Sequence, residues 1–120
     1  METRTALFVV RDDGIIVQTV KPGMRQDLAE ARENMATYLA LAGEQKRLLL
    51  VDLREAGPTG AGVREYYAQH SPRLRANAML IGSVLSEMIG NFFINLNKPD
   101  APTKLFTNES AALSWLRSFA

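Results

Sequence analysis

At 120 residues, with 47% hydrophobic and 22% charged side chains, the chain has the make-up of one globular domain, residues 1–120, rather than of a disordered segment. Fourteen basic against thirteen acidic residues leave a net charge of +1, scattered without a cationic run, which argues against nucleic acid as a partner. Cysteine is absent and His70 is the single histidine, which excludes disulfides, thiolate nucleophiles, cysteine-ligated metals and a His–His metal pair.

The apolar run Ala6 to Val10 is cut off by Arg11, Asp12 and Asp13, too early for the core of a secretory leader. No other run approaches the ~20 residues of a membrane helix. A soluble cytoplasmic protein with no integral membrane segment is expected.

Ala6–Val10 and Ile15–Val20 are two β-rich runs around Asp12-Asp13-Gly14, a hairpin signal because an Asp-Gly pair tolerates positive φ. Lys21-Pro22-Gly23 ends the second strand. From about Met24 to Ala42 the period lengthens. Leu28, Ala31, Met35, Tyr38 and Ala42 form one apolar helix face, and Arg25, Glu30, Arg32, Glu33 and Asn34 the solvated one. Gly43 stands where a left-handed C-terminal cap belongs.

Leu48 to Leu53 does not alternate, as suits a strand buried on both faces in the middle of a parallel sheet. The connection Gly57 to Gly62 leads to a helix marked by Val63, Tyr66, Tyr67 and His70 and ended by Ser71-Pro72. Asn77 to Ile81 is another short strand. Ser83 then caps a helix with a wide apolar stripe: Val84, Leu85, Met88, Ile89, Phe92, Phe93 and Leu96. Residues 97–102 are loop and Thr103 to Thr107 a short edge strand. Thr107 or Asn108 caps a last helix whose Ala112, Trp115, Leu116 and Phe119 share a face. The result is an α/β domain: a mixed, mostly parallel five-stranded sheet opened by a hairpin, with four helices placed by right-handed crossovers.

Three segments carry a family resemblance: Leu50-Val51-Asp52-Leu53-Arg54, the stretch Ile89 to Pro99, and Leu105-Phe106-Thr107-Asn108-Glu109 followed by Ala112-Leu113-Ser114-Trp115-Leu116. With them the chain resembles the SpoIIAA-like, or STAS-like, small bacterial domains over roughly residues 5–118. The resemblance implies a helix-covered mixed sheet and a part in protein–protein regulation rather than catalysis. The wider fold group is also similar to the CRAL-TRIO lipid-transfer proteins, which implies an apolar ligand as the alternative. Anti-sigma-factor antagonists of this fold are switched by phosphorylation of a serine or threonine at the start of the helix after the buried strand. Here that position falls at Ala61 or Gly62, which carry no hydroxyl, and Thr59 lies close by. The resemblance therefore arrives without its switch.

The glycines at 57, 60 and 62 do not follow the G-x-G-x-x-G order, and no lysine and hydroxyl follow to make a P-loop, so a plain strand-to-helix connection is favoured over a phosphate cradle. His70 lacks an evident partner for general-base work. Asp52 and Arg54 sit where the central strand ends, the place where ligands gather on open α/β sheets. With Thr59 they form the candidate ligand site, against the alternative that Asp52 caps the next loop and Arg54 pairs with Glu55 or another surface acid. Phe92, Phe93 and Ile94 are consecutive on a helix and span about 200° of its circumference, more than one sheet contact covers. Met88, Ile89, Phe92 and Phe93 are expected to face the core, with Ile94 or an edge of the aromatic pair left near solvent. Phe92, Phe93 and Ile94 are the candidate interface, for self-association, a protein partner or an apolar small molecule. No metal, cofactor or catalytic set is expected. The favoured function is a non-enzymatic, homo-oligomeric regulatory or protein–protein interaction module of the STAS-like type without the phosphorylation switch, the alternative a small carrier of a lipid or other apolar ligand.

Overall fold

The computed structural model describes residues 1–70, 73–97, 99 and 101–120, with the side chains at 64, 68, 93, 96 and 97 outside the described set. The elements follow the expected order: β1 (Ala6–Val10), β2 (Ile16–Val20), α1 (Leu28–Ala42), β3 (Arg47–Asp52), α2 (Val63–Gln69), β4 (Leu74–Leu80), α3 (Val84–Asn97), β5 (Thr103–Phe106) and α4 (Glu109–Arg117). The five strands lie side by side in chain order, β1 antiparallel to β2 and every later pair parallel.

The opening hairpin turns on Gly14. Its φ is +85°, its N–H donates to the Arg11 carbonyl, and the Arg11 N–H donates to the Ile15 carbonyl, so three residues make the turn and glycine takes the left-handed position. β4 begins three residues before the expected Asn77, at Leu74. A register shift opposite Arg47/Leu48 lets this first part pair. Such a bulge leaves no trace in apolar periodicity.

Because the strands add in one direction, right-handed crossovers carry the connecting helices to one face, and α4, after the last strand, is free to take the other. The two cores follow that division. On one face Phe8, Ile16 and Leu49 pack against Met35, Tyr38 and Ala42 of α1, with Tyr66 and Tyr67 of α2 at the margin. On the other, Leu48, Leu50, Ala78, Leu80 and Phe106 pack against Ala112, Leu113 and Leu116 of α4. Leu48 to Leu50 are all buried, as expected of a strand covered on both sides.

The first core contains a polar knot. Asn34 is 1% exposed, although its position beside Glu33 places it on the solvated face of α1 by sequence. Its side-chain oxygen accepts from the Thr3 hydroxyl at 2.6 Å, and its amide nitrogen donates to the Thr5 hydroxyl at 3.0 Å. The N-terminal residues fold back along β1, with Phe8 N–H donating to the Met1 carbonyl, and cover this flank of α1. A buried amide persists only when its hydrogen bonds are met, and the two threonines, with the Gln26 side-chain oxygen 3.5 Å from the amide nitrogen, help to meet them.

Candidate functional site

Asp52 and Arg54 occupy the carboxyl end of the sheet and, with Thr19, Val20 and Glu55, line a hollow of about 300 Å³. Within it the two side chains bind each other. Arg54 Nε donates to Asp52 Oδ1 at 3.0 Å and its terminal nitrogen to Oδ2 at 2.8 Å, a two-point fork, while the Arg54 backbone N–H adds a third bond to Oδ1 at 3.1 Å. The hydrogen bond from the Arg54 guanidinium holds the Asp52 carboxyl below its ordinary value, against the opposing effect of burial. Asp52 thus caps the turn, and it is Asp52 rather than Glu55 that pairs with Arg54. Thr59 is exposed and contributes to neither group; its backbone pairs with Gln26 instead.

That pairing explains the glycines. The segment after β2 and the segment after β3 run side by side as a short parallel ladder. Gly23 N–H donates to the Glu55 carbonyl, Gly57 N–H to Met24, Gln26 N–H to Pro58, and Gly60 N–H to Gln26, at 2.7 to 3.1 Å. A Cβ at Gly57 would stand 2.6 Å from the Gly23 carbonyl oxygen, and one at Gly60 would overlap the Asp27 carboxylate. These glycines admit a neighbouring backbone, and their amides are committed to it rather than to an anion. Gly62, at φ +81°, heads α2, and the exposed Ala61 precedes it.

His70 stacks on Tyr66 with ring centroids 4.5 Å apart, and its Nδ1 lies 3.0 Å from the Tyr66 carbonyl. Among the described residues no three His, Cys, Asp or Glu side chains gather where a metal ion could be held.

The largest departure from expectation is α3. Val84, Leu85, Met88, Ile89 and Phe92 are 50–67% exposed, whereas Ile94 is half-buried. Met88, Ile89 and Phe92, expected in the core, therefore face outward, and Ile94, one of the two candidates for the solvent side, turns inward, leaving the aromatic Phe92 as the exposed one; the Phe93 side chain lies outside the described residues. The cause is the edge of β5. At 100° per residue Glu87, Gly90, Asn91 and Ile94 fall within about 100° of arc, and these are the half-buried positions. The Asn91 amide donates to the Leu105 carbonyl at 3.0 Å and its oxygen accepts from Leu105 N–H at 2.7 Å. Gly90 abuts the Leu105 side chain so closely that a Cβ would overlap it. Satisfying a strand edge and seating a glycine fix the rotation of the helix, and the apolar stripe is left on the far side. The signal in the sequence was the Gly-Asn pair inside an otherwise apolar helix.

Between α3, β5 and α4 lies an open groove of about 580 Å³, with Ile94 and Trp115 as apolar walls and Asn91, Asn95, Thr103 and Lys104 as polar ones. Among the described residues no helix is long and apolar enough to cross a membrane.

A protein from Shewanella loihica PV-4, of the DUF3478 family and described as having a SpoIIAA-like fold, superposes with a TM-score of 0.69 over 97% of this chain and 98% of its own, at 16% identity. A likeness at that identity carries the fold, a mixed five-stranded sheet with four helices. A protein of unknown function from Arthrobacter sp. FB24 is 29% identical over 97% of this chain and 95% of its own, with a TM-score of 0.38. No curated protein matches the sequence. The model of the domain of unknown function DUF7793 matches residues 8–120, nearly the whole of the sheet and every helix, and the chain belongs to that family.

Proposed function

We propose that the protein is a non-enzymatic interaction module that docks a protein partner through the outward face of α3, with no phosphorylation switch in the connection after β3. One observation carries this reading: five apolar side chains from Val84 to Phe92, each at least half exposed, form a continuous stripe on one helix. Contiguous apolar surface on this scale marks contact sites. The groups that a reaction would draw on are engaged elsewhere. Asp52 holds Arg54, the Gly57 and Gly60 amides serve the neighbouring loop, and the His70 ring lies on Tyr66. Ala61 and Gly62, ahead of α2, offer no hydroxyl to a kinase. A cytoplasmic setting suits a chain without cysteine.

The test is a benzophenone amino acid placed at Phe92 in the living host, with a second placement at the exposed Ser114 of α4 as control. Illumination should give adducts of discrete protein mass from position 92 and not from 114. Adducts with lipid alone, or none, would overturn the reading.

A second reading, a carrier of an apolar molecule, draws on the groove beside Ile94 and Trp115, whose 580 Å³ falls in the range of small-molecule sites. Its polar wall and its place at the sheet edge favour it less. Native mass spectrometry of protein from its own host, showing a stoichiometric small-molecule adduct, would bring it forward.

A further inference from the structure

We infer that the partner seated on the α3 stripe is a second copy of this chain, the two helices crossing about a two-fold axis near Met88. The inference rests on the docking role proposed for α3 and names its partner.

Charge is the first argument. The exposed described residues of α3 are the five apolar ones with Ser86 and Asn95, and none carries a charge. The single acid of the helix, Glu87, is half-buried on the inner side. A membrane surface or nucleic acid would look for lysine or arginine here and find none. An asymmetric protein partner ordinarily sets its register with complementary charge at the rim. An uncharged stripe meets its own copy without like-charge repulsion, which is the condition for a self-complementary contact.

Shape is the second. Val84, Met88 and Phe92 form one ridge of i, i+4 spacing, and Leu85 and Ile89 form the ridge beside it. Two such surfaces interlock ridge into groove when helices cross at about −50°. Met88 stands midway along the stripe, so the axis that pairs the stripes brings the two copies of Met88 together.

Area is the third. Exposed side chains of this size offer on the order of 100 Å² each, so the stripe supplies about 500 Å² and two copies about 1,000 Å², the lower bound for a specific contact. That predicts an association of modest strength, in the micromolar range rather than an obligate dimer.

A different apolar surface competes for the same role. Leu7 and Val9 of β1, 45% and 59% exposed, lie on the α4 face beyond the reach of α4. This pair is smaller and lies on a strand, and it serves as the internal control.

The absence of cysteine makes the test clean. In a Met88→Cys variant any disulfide must join two chains. Mild oxidation should convert most of it to covalent dimer, while Ala40→Cys, on the exposed side of α1, should remain monomeric under the same conditions. Sedimentation velocity of the native protein should show reversible dimer, and Ile89→Asp should weaken it at least tenfold with an unchanged thermal melt, since the side chain is half exposed before association. A native protein that stays monomeric to several hundred micromolar (~10⁻⁴ M, near 5 kcal/mol of association), or a dimer broken by Val9→Asp and not by Ile89→Asp, overturns the inference. If the native protein is monomeric and the benzophenone at Phe92 still captures another protein, the second copy is wrong and the docking role stands. If that probe captures only lipid, the docking role itself falls.

Discussion

Asn91 completes the hydrogen bonding of Leu105 as a sixth strand would. One amide side chain answers both the N–H and the carbonyl on the open edge of β5, at 2.7 and 3.0 Å, and in doing so clamps α3 to the sheet. An uncovered strand edge invites pairing with another chain, and covering it with a helix is one of the ways proteins avoid that.

Removing the clamp should therefore loosen α3 before it unfolds the domain. Asn91→Ala is expected to cost about 1–3 kcal/mol, the loss of two bonds to a partly buried backbone. Hydrogen exchange should quicken at the Leu105 amide and along α3 while β3 stays protected. Uniform acceleration across the sheet would show that α3 is integral to the cooperative core.

Gly57→Ala should destabilise the fold by about 1–3 kcal/mol, because the methyl must displace the carbonyls of Gly23 and Met24, 2.6 and 2.8 Å from its Cβ. Gly14→Ala meets no neighbour within 4 Å and acts only through its φ of +85°, a cost of about 1 kcal/mol. Chemical denaturation of the two variants compares them. Equal losses would mean that the ladder between the loops gives way easily.

Asn34→Leu keeps roughly the size of the side chain and removes the amide that bonds the Thr3 and Thr5 hydroxyls, leaving Thr3 only its bonds with Ala6. A loss of about 1–3 kcal/mol is expected. Adding Thr5→Val should recover part of it, since removing both partners of a buried bond is milder than removing one. A double variant less stable than Asn34→Leu alone would show that the knot is held by other groups.

Stability should fall in acid. The Asp52 carboxyl is lowered chiefly by its bond from Arg54. For Asp13 burial works upward, and the Ile15 N–H with Arg11 and Arg117 outweighs it. A carboxyl lowered in the fold stabilises above its unfolded value, about 3.9 for aspartate, and that contribution is lost as pH falls through the folded one. Asp52→Asn should flatten the acid limb of a melting-temperature profile below about pH 4. An unaltered limb would remove Asp52 from the acid response.

At high pH, burial pushes the Tyr38 and Tyr67 hydroxyls up to about 12. A raised folded value favours the neutral form, so this stability is whole below about 10, the unfolded value, and fades as pH climbs towards the folded one. Tyrosinate absorbance of the folded protein should show a late-titrating component that shrinks in Tyr38→Phe and in Tyr67→Phe. A profile without that component would mean that neither ring is sheltered.

Much of the fold was legible because it is written in periods. Alternation and turn chemistry fixed the hairpin at Gly14, the unbroken Leu48–Leu50 announced a strand covered on both faces, and caps at Ser83 and at Thr107 or Asn108 marked two helix starts, of which Ser83 and Asn108 each bond a backbone amide three residues on. These are local properties: a residue's own φ, its neighbours three or four places along, its preference for water. The sequence likewise placed Asp52 and Arg54 at the sheet's carboxyl end and offered a capping role for Asp52, but that the two side chains bind each other was seen only in the structure. What periodicity could not decide was direction. An apolar stripe says that a face avoids water, not whether its own sheet or another surface will cover it. That choice was made at β5, where one backbone edge required an amide and one leucine required the space beside a glycine. Asn34 is the converse case, a polar residue drawn inside because Thr3 and Thr5, some thirty places away, arrive to bond it. Both outcomes depend on contacts between segments distant in the chain, which only the assembled tertiary structure brings together.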